Sequence, residues 1–301
     1  MTSASTHRPI LIAGPTASGK SALAVRLARE RNGVVINADS MQVYSDLRVL
    51  TARPSPEEQA RAPHELYGHV AASEAYSVAR WIADVRKVLA RAREQGQTPI
   101  IVGGTGLYFK ALLEGLSPVP EIPAEIRVHW RAEAKRLGGP QLHAELRARD
   151  HVMAARLAPG DTQRITRALE VLAATGRSLG EWQAIPGEPV LDAASTERLV
   201  VTLPRAALHE RCDRRFDQML SQGALDEVRG LGALNLDPAL PVMGAIGVRP
   251  LLRHLASEID LATAIQAGKL ETRQYVKRQE TWLKREMIAW MVKKLNYCCN
   301  F

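Results

Sequence analysis

Short apolar runs alternate with longer amphipathic stretches along the first third of the chain. Pro9-Ile10-Leu11-Ile12-Ala13 reads as a short buried strand, and after a glycine-rich octet residues 22–28 form a strong helical run. Val34-Val35-Ile36 is a second apolar strand, closed by Asn37-Ala38-Asp39-Ser40. Over 81–94 the spacing predicts a helix with Ile82, Val85, Val88 and Leu89 on one face. Pro99-Ile100-Ile101-Val102 is a third strand, closed by Gly103-Gly104-Thr105-Gly106. Strands alternating with helices predict a parallel α/β sheet.

The pattern then changes. Ser117-Pro118-Val119-Pro120-Glu121-Ile122-Pro123 is a proline-rich break, and from 124 to about 182 the periodicity is helical. Strand signal returns at Arg198-Leu199-Val200-Val201-Thr202-Leu203, followed by helical runs over 207–228 and about 269–291. The predicted organisation is an α/β core of residues 1–118 and 198–301, interrupted by an all-helical insertion over 119–197. Trp130 and Trp182 in the insertion read as packing residues.

With 301 residues, 46% hydrophobic and 24% charged, the chain can bury such a core without disulfides, and disordered and fibrous classes are excluded. No apolar run is long enough to cross a bilayer, and residues 1–8 lack the apolar region of a targeting peptide. Cys212 stands alone and Cys298-Cys299 are adjacent, which makes neither a disulfide framework nor a zinc site, so a reducing cytoplasm is expected. His64 and His69 are one residue too far apart for the helical zinc-protease pairing and read as structural or surface groups. Lysine plus arginine number 40 against 32 acids, and the net charge of +8 favours an anionic partner.

Gly14-Pro15-Thr16-Ala17-Ser18-Gly19-Lys20-Ser21 fits G-x-x-x-x-G-K-[ST] at every fixed position, with a strand before it and a helix after. The glycines let backbone N–H groups turn inward at a helix N-terminus, where they and Lys20 hold a di- or triphosphate. Ser21 can hold a Mg2+ that bridges phosphate oxygens. The core is therefore expected to be a P-loop NTPase-like parallel sheet. The loop does not reveal what carries the phosphates. The third strand ends in Gly103-Gly104 with no acid, which argues against an energy-transducing ATPase. Asp39 directly follows the second strand, at the sheet end from which the phosphate loop leaves, and should face that loop across the crevice. A carboxylate there can ligate Mg2+ or act as general base. Asp39-Ser40 is also a good helix start, and residue type alone leaves both readings open.

The octet is followed, in one order, by Ala38-Asp39-Ser40-Met41-Gln42-Val43-Tyr44, Thr51-Ala52-Arg53-Pro54, Tyr76-Ser77 and Val102-Gly103-Gly104-Thr105-Gly106-Leu107-Tyr108. Further blocks lie at 161–170, 211–220 and 272–279, then Thr281-Trp282. Together they closely resemble the tRNA dimethylallyltransferase family over about the whole chain up to Lys284. The resemblance implies transfer of a dimethylallyl group from dimethylallyl diphosphate to the exocyclic amino group of the adenine just 3′ of the anticodon, in a tRNA anticodon stem-loop, with Mg2+. It implies Thr16, Asp39 and Arg215 in catalysis: Asp39 as the base, Thr16 to Ser21 on the diphosphate, and Arg215 as a further contact to it. It implies tRNA contacts at Asp39, Ser40, Met41, Gln42, Thr105, Arg127, Gln163, Arg164, Ile165, Thr166, Arg167, Lys277, Arg278 and Lys284, and over 243–249. A monomer is expected, because the crevice needs no second chain.

On a helical projection of 270–291, Arg273, Lys277, Arg278, Lys284 and Arg285 share one side, opposite Tyr275, Val276, Trp282, Leu283 and Trp290. A one-sided basic stripe suits a phosphate backbone, although a solvated helix face has the same composition. The chain departs from the family at Val49-Leu50-Thr51-Ala52-Arg53-Pro54, where Ile-Gly-Thr-Ala-Lys-Pro is usual, at Val248, where an aromatic often stands, and at Lys284, in place of arginine. Two alternatives remain open. A small-molecule kinase with ATP in the cradle would need neither the insertion nor the basic helix. A non-catalytic, nucleotide-regulated RNA-binding module would need no acid beside the phosphates.

Overall fold

The structure, a computed structural model, describes residues 7–287 and 289–294. Most of the opening segment and the Cys298-Cys299 pair lie outside the described residues. The chain divides into two compact units, Met1–Leu113 with Val190–Phe301, and Glu114–Pro189.

The first unit is built on a six-stranded, all-parallel sheet. Its strands are β1 (Ile10–Ala13), β2 (Gly33–Asn37), β3 (His64–Glu65), β4 (Thr98–Gly103), β5 (Glu197–Thr202) and β6 (Met291–Lys294), in the order β3-β2-β4-β1-β5-β6. Alternate residues feed two cores. Ile10, Ile12, Ile100 and Val102 pack with Leu23 and Leu27 of α1 (Lys20–Glu30). Leu11, Ile36 and Ile101 pack on the other face with Trp81, Val85 and Val88 of α3 (Val78–Glu94) and with Tyr108 and Phe109 of α4 (Gly106–Glu114). Burial on both faces is why these strands read as unbroken apolar runs rather than alternating ones. A short helix, α2 (Pro56–Gln59), precedes β3.

The rest of this unit is helical and refines the expectations. The run read over 207–228 is two helices, α9 (Arg205–Ser221) and α10 (Ala224–Ala233), separated at Gly223, whose φ of 98° breaks the helix. Next come α11 (Val248–Leu255) and α12 (Leu261–Glu286). The last helix stops at Glu286, short of the expected 291. Trp290 therefore lies beyond it, packed edge-on against Phe109 at 5.6 Å, and leads into β6.

The second unit contains α5 (Ala124–Arg149), kinked at Gly138, then α6 (His151–Ala155), α7 (Thr162–Thr175) and α8 (Leu179–Gln183). They enclose Trp130, Leu142, Leu146, Ile165 and Leu169. Its limits fall at 114 and 189 rather than 119 and 197. Within the first unit, the N–H groups of Val190 and Leu191 both donate to the Leu112 carbonyl, at 2.8 and 3.0 Å, and so return the chain early.

One carboxylate organises the loop after β2. Glu227 of α10 accepts from the N–H groups of Arg48, Val49 and Leu50 at 3.0, 2.8 and 3.0 Å. Three consecutive backbone donors around one anion form a nest. Glu227→Ala strands all three donors, and a loss of about 2–3 kcal/mol is expected, seen as a lower urea midpoint at unchanged slope. An unchanged midpoint would mean that water replaces the carboxylate at no cost.

Candidate active site

Three loops leave the carboxyl ends of adjacent strands β2, β4 and β1, where open α/β sheets form their binding crevice. The first six residues of the octet, 14–19, are the whole connection between β1 and α1, and Lys20 and Ser21 open the helix. Gly19, at φ 90°, caps α1 in the left-handed conformation that a side chain would strain. Lys20 Nζ donates to the Pro15 carbonyl at 3.2 Å. Burial brings the Lys20 pKa down to about 8; the Asp39 charge opposes that shift, and Arg215 adds to it.

Asp39 caps no helix. Its N–H donates to Asn37 Oδ1 at 2.8 Å, and its own Oδ1 accepts from the Met41 N–H at 2.9 Å, which makes a tight side-chain-closed turn. Asn37 beneath it is fully buried. Its amide donates to the carbonyls of Asp39 and Leu66, and its carbonyl accepts from Trp81 Nε1 at 2.8 Å. The loop is thus anchored from below. Burial first, and the Asp39 charge next, push the phenols of Tyr67, Tyr108 and Tyr275 up.

Helix α9 carries Arg215. Asp213 and Asp217, two residues to either side of it, pair with α12: Arg273 lies 2.7 Å from Asp213 and Lys269 2.7 Å from Asp217. Among the described residues the Arg215 guanidinium has no protein partner. Burial lowers its pKa, against the pull of Cys212 and Asp39. Two desolvated cations beside one carboxylate leave an uncompensated charge that an anionic ligand would relieve.

A cavity of about 200 Å3 opens here, with Thr16, Asp39, Arg215 and Tyr275 on its polar side and Leu50, Phe216, Met219, Ala245 and Ile246 on its apolar side. A second cavity, of about 380 Å3, shares Arg215 and Met219 with it and reaches Ser21 and Tyr67.

The expected RNA-contacting residues separate into groups. Ser40, Met41 and Arg278 line the first cavity with Asp39. Thr105 Oγ1 accepts from the Ser40 N–H at 3.0 Å. Gln42 turns away and donates to the carbonyls of Thr51 and Ala52, both at 2.9 Å, so it shapes a loop. Lys277, Arg278 and Lys284 are exposed on α12, whereas Arg273 leaves the basic stripe for Asp213. In the second unit Arg127 is half-buried, and Gln163, Arg164 and Arg167 are exposed. Arg164 pairs with Asp161 at 2.7 Å and Arg167 with Glu170 at 3.3 Å.

Ile165 and Thr166 correct the expectation. Ile165 is 0% exposed, packed with Ala168 and Leu169 on the inner face of α7, and Thr166 Oγ1 donates to the Thr162 carbonyl at 2.7 Å. Neither side chain is at the surface. Of the departures, Val248 is fully buried, and Arg53 donates to the carbonyls of Tyr44 and Ser45 at 3.3 and 3.2 Å. Met219 carries no expectation from the sequence, and Gln279, inside the 277–284 stretch that the resemblance gives to RNA, is buried. The available signal for Gln279 was a polar residue three after Val276, on the inward face of α12.

A family model described as IPP transferase matches residues 42–286, and one described as Isopentenyl transferase matches residues 8–66. The chain belongs to the IPP transferase family. Among relatives, the tRNA dimethylallyltransferase of Parvibaculum lavamentivorans is 54% identical, over 94% of this chain and 90% of that protein. That of Beijerinckia indica is 56% identical, over 93% and 94%. A tRNA isopentenylpyrophosphate transferase from Bacillus halodurans is 30% identical in its crystal structure, with a TM-score of 0.69 over 97% of this chain and 92% of that one. The structure of a eukaryotic dimethylallyltransferase acting on tRNA is 29% identical, with a TM-score of 0.78 over 95% of this chain and 73% of that one.

In this IPP transferase a lysine with a pKa of about 8 is charged below that pH and neutral above it. An anion binds the charged form. Affinity for a simple alkyl diphosphate, already fully ionised, should be about halved at pH 8 and fall towards tenfold per pH unit at about pH 9 and above. Lys20→Met should bind more weakly and lose this limb. Calorimetric titration across the range checks it; a flat wild-type profile would remove Lys20 as the titrating contact.

Proposed function

We propose that this transferase moves a dimethylallyl group from dimethylallyl diphosphate to the exocyclic amino group of the adenine 3′ of the anticodon of a tRNA. The observation that carries the reading is one cavity in which the unpaired Arg215, the Asp39 carboxylate and an apolar wall of Leu50, Phe216 and Met219 meet. The first suits a diphosphate, the second an amine proton, the third a five-carbon chain.

The adenine amine is a poor nucleophile, because its lone pair is delocalised into the ring. Asp39 takes its proton as the C–N bond forms. As the C–O bond to the diphosphate breaks, charge gathers on the leaving group. Lys20, Arg215 and the loop N–H groups stabilise it more in the transition state than in the bound donor. The base must leave the anticodon-loop stack to reach Asp39. Lys277, Arg278 and Lys284 on α12, with Arg127, Gln163, Arg164 and Arg167 of the second unit, offer phosphate contacts, and Ser40, Met41 and Thr105 border the path of the base.

No group of three or more His, Cys, Asp or Glu among the described residues could enclose a cation. The exposed Ser21 hydroxyl is a hard but sparse donor, which fits a Mg2+ that keeps its waters and takes other ligands from phosphate oxygens. Bound there, Mg2+ would neutralise charge on the leaving diphosphate. The enzyme is proposed to act as a monomer, and a tRNA substrate suits the cytoplasm. No described helix is long and apolar enough to cross a membrane.

Incubation with Mg2+, unmodified tRNA and either dimethylallyl diphosphate or ATP, followed by mass analysis of the tRNA, tests the reading. A five-carbon group on one adenine is expected. No transfer from that donor, or phosphate transfer from ATP, would overturn it. In the same assay Asp39→Ala should cut turnover by about 10²–10⁴-fold with tRNA affinity nearly intact. Equal loss of both would take the base role from Asp39. Replacing Lys277 and Arg278 together with Ala should weaken tRNA binding and flatten the log affinity against log salt slope by about 1–2. An unaltered slope would leave the stripe merely solvated.

A further inference from the structure

We infer that Gln279 is a positioning residue: from the inner face of α12 its side-chain amide holds the diphosphate loop in register with the loops that carry Thr105 and Asp39. The inference rests on the function proposed above.

Gln279 lies in the stretch that the family resemblance assigns to RNA, yet it is 6% exposed and points the other way. Its Oε1 accepts from the Thr16 N–H at 2.9 Å, and its Nε2 donates to the Gly104 carbonyl at 3.1 Å. The assignment of oxygen and nitrogen is fixed by these partners, since a flipped amide would set N–H against N–H and oxygen against oxygen. One residue further, the Thr105 N–H donates to the Ala38 carbonyl at 3.2 Å, and Thr105 Oγ1 accepts from the Ser40 N–H at 3.0 Å. One amide thus ties the loop after β1 to the loop after β4, and through Thr105 to the loop after β2.

The glycines after β4 fit this arrangement. A Cβ at Gly104 would collide with the Gln279 amide, and one at Gly106 with the Trp282 indole. Small residues here let α12 press two side chains onto the loop. Val276, one turn back, is fully buried against Leu203, Leu208 and Cys212, and Gln279, like Thr272, is a polar residue on this buried face. A buried amide costs stability unless both its ends are paired, and both are. The Thr16 N–H is therefore committed to Gln279 rather than free for phosphate, and the seating of α12 sets where the start of the cradle lies.

Two substitutions test this in the full chain with dimethylallyl diphosphate and tRNA. Gln279→Met keeps the volume and removes both hydrogen bonds. It should raise the donor KM about tenfold and lower kcat, with the tRNA Kd within about twofold. Gln279→Glu keeps an acceptor for Thr16 but faces the Gly104 carbonyl with a charge. It should lose more, and its deficit relative to wild type should shrink as pH falls and the carboxyl regains a proton to donate. That pH signature also covers the case in which Gln279→Met does not fold. An unchanged donor KM in a folded Gln279→Met, a tRNA Kd that rises in step with it, or a pH-independent Gln279→Glu deficit overturns the inference. Wild-type turnover in the same assay keeps the two claims apart. Transfer by wild type with an unaffected Gln279→Met sinks the positioning role alone, whereas no transfer by wild type sinks both.

Discussion

Lys20 and Arg215 stand half-buried with one carboxylate, Asp39, to answer two cations, and the rest of the site depends on that imbalance. A desolvated cation without a partner is costly. Lys20 responds with a pKa lowered to about 8, and Arg215 is lowered too. Asp213 and Asp217, two residues either side of Arg215 on α9, turn away from it and pair with Arg273 and Lys269 of α12. An anionic ligand offsets that excess, and on the proposed reading a diphosphate does so at the loop that follows β1.

The same helix faces two ways. Its inner side, through Thr272, Val276 and Gln279, packs against the diphosphate loop and α9; its outer side displays Lys277, Arg278 and Lys284. On the proposed reading the donor meets the inner side and RNA the outer. The parallel sheet supplies what neither helix nor loop has alone, which is three neighbouring strand ends whose loops converge. The buried Asn37 and Trp81 fix the height of Asp39 above them.

The central strands were legible in the chain because burial on both faces makes them continuous apolar runs. Two-residue β3 has no period to read, and β6 follows so closely on α12 that the amphipathic pattern runs through Trp290 into it. The octet was legible because its chemistry is local, and Asp39 because it follows a readable strand. The approach of Arg215 to Asp39 and the cavity was not legible, since it depends on how α9 packs beside the loop after β2. Nor was the inward turn of Gln279 within a stretch whose neighbours face solvent. Ile165 and Thr166 were grouped with exposed neighbours because a block motif carries no facing; the spacing of Ile165, Ala168 and Leu169 on α7 shows which side is buried.

On the proposed reading the loop and Arg215 grip a diphosphate whose carbon chain is turned towards Asp39. A crystal structure of the chain with an unreactive thio analogue of dimethylallyl diphosphate decides this. Diphosphate oxygens are expected on the loop N–H groups and the Arg215 guanidinium, with the five carbons against Leu50, Phe216 and Met219. A diphosphate seated away from Arg215, or a carbon chain pointing away from Asp39, would contradict it.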